Sequence, residues 1–158
     1  MSRIAIGDEV PDFETLVTGT GKLRLSDLRG QHVVLYFYPK DKTPGCTLES
    51  QDFRDLHPRF RRAGARVFGI SRDSIKSHES FKAAQEMPFE LISDPDEDLC
   101  SLFDVMRLKN MYGKQVRGIE RSTFLLDAHG RLQREWRKVK VEGHAEEVLE
   151  AVKALGRD

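Results

Sequence analysis

Along the 158-residue chain the hydrophobic positions fall into short blocks whose spacing switches between the period of a strand and that of a helix. Residues 13–17 and 22–25 flank Thr18-Gly19-Thr20-Gly21, the pattern of a short hairpin with glycines in its turn, and Ser26 is placed to cap one helical turn ending at Gly30. Residues 32–38 are apolar, β-branched or aromatic with almost no polar interruption. Such a run predicts a central strand buried on both faces, stopped by Pro39. From Thr47 onward, Leu48, Phe53, Leu56 and Phe60 approximate helical spacing, and Gly64 follows as a stop signal. Residues 66–71 read as the next strand, and a helix capped near Ser74 runs through Phe81 towards Met87-Pro88, completing a βαβ unit. Residues 90–93 predict a short strand and residues 94–103 a short helix, whereas residues 107–118 show no clear period and are predicted as a loop. Residues 121–127 and 131–136 flank Ala128-His129-Gly130 as a second hairpin, before an amphipathic final helix over residues 145–155. The predicted class is α/β: a mixed central sheet flanked by helices on both faces, with an N-terminal β-hairpin.

Length and composition narrow this picture without adding chemistry. The chain fits one domain, residues 1–158, and carries no repeat, low-complexity tract or linker-like stretch. Twenty-six basic residues balance twenty-six acidic ones, so no net field points to nucleic acid or an anionic membrane as partner. Neither a signal peptide nor a membrane-spanning run is expected, and two cysteines resemble neither a secreted disulfide framework nor a four-cysteine zinc site. The expected compartment is the reducing cytoplasm. His32, His57, His78, His129 and His144 show no metal-binding spacing and are expected to be solvated or capping, with no metal or cofactor. Arg59, Arg61, Arg62 and Arg66 crowd a predicted helix end, where cations complement the dipole and face solvent.

The informative stretch is residues 38–49, which carries the chain from the buried strand into the first turn of a helix. A thiol at that place, Cys46, sits among unpaired backbone N–H groups at the positive end of the helix dipole, and both features favour the nucleophilic thiolate. Pro44 has no N–H and a fixed backbone angle, while Gly45 lets a ligand approach the main chain. Thr43 places a hydroxyl three residues before the sulfur. On local pattern alone, a reactive thiol and an inert buried one both remain open.

Pro39, Thr43 and Cys46 stand in the spacing P-x-x-x-T-x-x-C, which resembles the peroxidatic motif of peroxiredoxins, and Gly45-Cys46-Thr47-Leu48-Glu49 resembles the bacterioferritin comigratory protein, or PrxQ, subfamily. Residues 51–55, 69–71, 93–94 and 121–125 extend the likeness over nearly the whole chain. The resemblance implies a thioredoxin-like fold and a thiol-dependent peroxidase with catalytic residues Cys46, Thr43, Arg121 and Pro39. Cys46 would attack a peroxide and become a sulfenic acid, Arg121 would stabilise the thiolate and the departing oxygen, Thr43 would align the peroxide, and Pro39 would shield the sulfur. Glu49 either hydrogen-bonds back to the loop, holds a nearby arginine, or is a surface acid matched to the dipole.

The pattern is broken where many such proteins carry a resolving cysteine: the position five residues after Cys46 is Gln51, and residues 77–86 contain none. Only Cys100 is left, among apolar neighbours that suggest a packing role. A one-cysteine mechanism is expected, with an external thiol such as thioredoxin, glutaredoxin or glutathione as reductant and the protein a monomer or weak dimer. A two-cysteine mechanism through Cys100, a peroxide sensor or thiol-exchange protein, and a cysteine hydrolase using His78 or His144 are the other readings. Met106, Met111 and Tyr112, among basic residues, mark a segment that is a plain surface loop, borders the active site or docks a reductant.

Overall fold

The computed structural model describes residues 4–156, so both ends of the expected domain, residues 1–3 and 157–158, lie outside the described residues. In chain order the elements are β1 (Glu14–Val17), β2 (Gly21–Arg24), a 3-10 turn (Leu25–Leu28), β3 (His32–Phe37), α1 (Pro44–Arg62), β4 (Ala65–Ser71), α2 (Ile75–Ala84), β5 (Leu91–Ser93), α3 (Asp98–Leu102), β6 (Met106–Met111), β7 (Lys114–Ile119), β8 (Ser122–Leu126), β9 (Leu132–Trp136) and α4 (His144–Leu155). Seven strands form one sheet in the order β2-β1-β5-β4-β3-β8-β9. The β3-β4 and β4-β5 pairs are parallel; β8 runs antiparallel to β3 and β1 antiparallel to β5.

Every residue of β3 is buried, as its unbroken apolar run requires. Its side chains alternate between two cores. Val33, Leu35 and Phe37 pack with Ile70, Phe124, Leu99, Cys100 and Phe103 on one face. Val34 and Tyr36 pack on the other with Phe53 and Phe60 of α1, Phe81 of α2, and Val148 and Val152 of α4. Tyr36 anchors this second core: its ring stacks on Phe53 at 4.5 Å and 14°, and its hydroxyl shares a 2.9 Å hydrogen bond with Ser50 Oγ. Directly across the parallel register stands Gly69, where a Cβ would lie 2.7 Å from the Tyr36 ring and 2.9 Å from Leu91 Cδ2. A hydrogen at this position is what lets the ring lie over the strand.

Three elements differ from expectation. The first long helix starts at Pro44 rather than Thr47, because proline is preorganised for the first helical position and its missing N–H has no partner there to lose. Ser26 does not cap the 3-10 turn; it lies inside it, and its N–H donates to Asp12 Oδ1 at 2.9 Å. Residues 107–118 are not a loop but most of a two-stranded ribbon, β6-β7, closed by Tyr112 (φ 52°) and Gly113 (φ 78°), the left-handed pair that a tight hairpin turn requires. Leu108, Met111, Tyr112 and Val116 are all exposed, so no buried face imposes the alternation by which strands are recognised. Among the described residues no helix is long and apolar enough to cross a membrane.

Gly69→Ala should destabilise the protein by about 1–3 kcal/mol, because the added methyl meets a ring fixed by stacking and a hydrogen bond. Urea unfolding checks this, and an unchanged midpoint would mean that Tyr36 is free to move.

Candidate active site

The β3-β8 register pairs Phe37 with Ser122, so Arg121, one residue before β8, lies beside the point where the chain leaves β3 for α1. Between β3 and α1 the backbone is pinned from below. Asp41 is buried; its Oδ1 accepts from the Tyr38 hydroxyl at 2.6 Å, and its Oδ2 accepts from Ser77 Oγ at 2.9 Å and faces His78 Nδ1 at 2.7 Å. The other ring nitrogen of His78 faces the Ile92 carbonyl at 2.9 Å. Burial pushes the Asp41 carboxyl upward, yet the bonds from His78, Tyr38 and Ser77 hold it below its ordinary value. Asp73, Asp41 and His78 bring ligand atoms within 4.8 Å of one another. Both His78 nitrogens and the Asp73 Oδ2, which accepts from the Asp41 N–H and the Ser71 hydroxyl, are already engaged, so the cluster acts as a hydrogen-bonded strut under the loop.

Above this strut Pro39 is half-buried, and Thr43 occupies the N-cap position of α1. The Thr43 hydroxyl makes no cap; it donates to the Lys40 carbonyl at 2.8 Å. The N–H groups of the first helical turn are thus left without a capping side chain, and Cys46 is the third residue of that turn. Its sulfur is buried, and Arg121 Nη2 donates to it at 3.4 Å. The same guanidinium donates through Nη1 to Glu49 Oε1 at 2.6 Å. A Cβ on Gly45 would come within 3.2 Å of Nη2, so the glycine leaves the space that the guanidinium fills.

Glu49 is no surface acid: it is 1% exposed, and its Oε2 has no partner among the described residues. Burial lifts its pKa to about 7, against the opposing pull of the Arg121 charge and hydrogen bond. Lys109 of β6 was not singled out by any sequence signal; its Nζ donates to the Ile119 carbonyl at 2.6 Å, and burial followed by the charge of Arg121 lowers its pKa. The structure therefore brings Pro39, Thr43, Cys46 and Arg121 to one end of the sheet, with Glu49 as an added member. The histidines depart from expectation: His32, His57, His78 and His144 are buried rather than solvated.

Cys100 is a free thiol in the other core, beneath the opposite face of the sheet from Cys46. Burial and the neighbouring Asp94 push its thiol well above the ordinary range.

A buried thiol at an uncapped helix N-terminus, bonded to a guanidinium on a thioredoxin-like sheet, defines a thiol-dependent peroxidase. Comparison with known proteins agrees. The AhpC/TSA family matches residues 6–135. Peroxiredoxin Bcp of Xanthomonas campestris pv. campestris is 55% identical over 143 residues, spanning 90% of this chain and 89% of the relative. Peroxiredoxin Bcp of Bacillus subtilis is 49% identical over 152 residues, spanning 96% and 97%. A cysteine-to-serine mutant of PrxQ from Xylella fastidiosa superposes with a TM-score of 0.92 at 48% identity, covering 98% of this chain and 99% of the other. The Xanthomonas campestris bacterioferritin comigratory protein, described for its alkyl peroxide reduction activity, superposes with a TM-score of 0.86 at 54% identity over 90% and 91%. The chain belongs to the AhpC/TSA family, as a peroxiredoxin of the Bcp/PrxQ group.

Because the folded pKa of Glu49 lies above its ordinary 4.5, the fold favours its protonated form, and the stability this adds is full below pH 4.5 and lost as pH rises to about 7. That loss is on the order of 3 kcal/mol for a group so buried. Glu49→Gln should flatten this part of the stability profile, measured by urea unfolding across the window; an unaltered slope would assign the titration to another group.

Proposed function

We propose that Cys46 reduces hydrogen peroxide and small organic hydroperoxides by direct attack on the terminal peroxide oxygen. A sulfur–oxygen bond forms as the O–O bond breaks; the departing oxygen leaves with the bonding pair and takes up a proton as water or alcohol, and Cys46 becomes a sulfenic acid. The observation that carries this reading is one guanidinium bonded at once to the Cys46 sulfur and to buried Glu49. Glu49 holds the planar fork in position, so the second nitrogen faces both the thiolate and the oxygen on which charge develops. Since the Thr43 hydrogen is directed to the Lys40 carbonyl, its oxygen presents lone pairs that accept the peroxide O–H, while the free N–H groups of the first turn donate to the peroxide oxygen. Pro39 screens the sulfur from water. The alkyl peroxide activity of the Xanthomonas campestris relative supports organic hydroperoxides as substrates.

Recycling follows a one-cysteine route with an external thiol, of the thioredoxin, glutaredoxin or glutathione kind, in a reducing cytoplasm, and the protein acts as a monomer or weak dimer. Supporting this, the two thiols belong to separate cores on opposite faces of a sheet, whereas a disulfide needs Cα atoms within about 7 Å.

Cys46→Ser should abolish peroxide consumption with the fold intact, and comparable turnover would remove Cys46 as the nucleophile. Arg121→Lys should lower the second-order rate about a hundredfold, roughly 3 kcal/mol, because a point charge cannot serve sulfur and carboxylate together. Stopped-flow peroxide reduction measures both. With one equivalent of peroxide and no thiol, wild type and Cys100→Ser should each gain the mass of one oxygen and form a dimedone adduct. A loss of two hydrogens by the wild-type monomer, abolished in Cys100→Ser, would make Cys100 the resolving thiol and overturn the one-cysteine route.

A further inference from the structure

The β6-β7 ribbon ends at Ile119, two residues before Arg121, and pairs with no other strand. Its register sets Lys109 opposite Val116 and Met111 opposite Lys114, so these four side chains share one face. Lys109 Nζ donates to the Ile119 carbonyl at 2.6 Å, which ties that face to the ribbon's root beside Arg121. Of the seven large hydrophobic side chains exposed among the described residues, four lie on this ribbon: Leu108, Met111, Tyr112 and Val116. Residues 106–119 also carry four basic side chains and no acidic one. Arg107 pairs with Asp104 and Arg117 with Glu97, whereas Lys109 gives its bond to a carbonyl and Lys114 joins no ion pair among the described residues. Apolar area and positive charge thus coincide on one projecting element next to the site.

Cys46 is 1% exposed, so a thiol that reduces its sulfenic acid must be carried in until an S–S bond of about 2 Å forms. A protein that does so covers the surface around the sulfur. An interface of about 800 Å² per partner spans roughly 30 Å, and the ribbon, about 20 Å long, starts beside Arg121 within that footprint. A second copy of this chain is a poor occupant: in a two-fold contact ribbon meets ribbon, and the bases of one find no acid on the other.

We propose that this face of the ribbon docks a dithiol oxidoreductase whose reactive thiol is rimmed by acidic and apolar side chains, an inference that rests on the external-thiol route. The partner's thiolate attacks the Cys46 sulfenic sulfur; an S–S bond forms as the S–O bond breaks, and hydroxide leaves with the bonding pair and takes up a proton as water. The partner's second thiol then attacks the partner's own sulfur in the mixed disulfide, which returns Cys46 as thiolate and leaves the partner as a disulfide. Met111, Tyr112 and Val116 supply apolar contact, methionine and tyrosine being favoured at interfaces, while Lys109 and Lys114 orient the acidic rim.

Stopped-flow reduction of the full chain, oxidised with one equivalent of peroxide, by a thioredoxin of net negative charge, by a glutaredoxin and by dithiothreitol tests the docking. Wild type should react faster with at least one of the two proteins than with dithiothreitol, at a second-order rate that falls as salt rises. In Met111→Ser/Lys114→Glu that rate should drop at least tenfold, while peroxide reduction, dithiothreitol reduction and the urea midpoint keep their wild-type values. An undiminished rate in the double variant would overturn the proposal, as would wild-type reduction by dithiothreitol but by neither protein; both results leave the external-thiol route standing. A wild-type dimer in sedimentation that the double variant dissociates would give the face to a second copy of this chain and overturn it as well. A sulfenic acid that none of the three thiols reduces would instead remove the external-thiol route itself, and the docking with it.

Discussion

The arrangement of this protein depends on one strand that has no free side. β3 is buried on both faces and hydrogen-bonded along both edges, in parallel to β4 and antiparallel to β8. A strand so enclosed can release the chain only at its ends. At the C-terminal end the antiparallel partner begins, which is why a residue 75 positions away from Cys46 delivers its guanidinium to that sulfur. The parallel partner requires a crossover, and α1 supplies it, so a helix N-terminus also falls there. Thiol, helix start and arginine meet as a consequence of strand pairing rather than of any local affinity among them.

Within that meeting point the charges are held under tension. Arg121 is shared between a sulfur and a carboxylate that burial drives towards its neutral form. When Glu49 is protonated, the guanidinium charge acts on the sulfur without an opposing anion; when Glu49 is ionised, the same charge is divided and the fork is more firmly fixed. Beneath it, the Asp41–His78 contact ties the loop carrying Thr43 to α2, so the segment that leads into Cys46 is braced by a second helix.

Much of this was legible in the order of residues, and the gaps have physical causes. The unbroken run of β3 and the contiguous Pro39, Thr43 and Cys46 carry their meaning locally, and the family resemblance supplied Arg121. Glu49 had two readings, because a carboxylate in a first helical turn suits the dipole whether it faces solvent or core. His78 gave no sign of bracing Asp41, since the pairing spans 37 positions and is made only when α2 packs below the loop. Nor does histidine spacing, which speaks to shared metal ligands, say whether one ring is covered by a helix. The β6-β7 ribbon was missed because periodicity records burial, and a strand exposed on both faces writes no period.

That ribbon pairs only with itself and joins no strand of the seven-stranded sheet. Lengthening or shortening it by a matched pair of residues would leave every register of the catalytic sheet unchanged, since none passes through it. The molecule thus contains a piece whose size is decoupled from its chemistry: one end is rooted beside Arg121 through Ile119, and the other holds a fully exposed tyrosine out in solvent. Evolution can rewrite that projecting surface at little cost to the fold, so contact preferences can diverge among relatives that keep the same reaction.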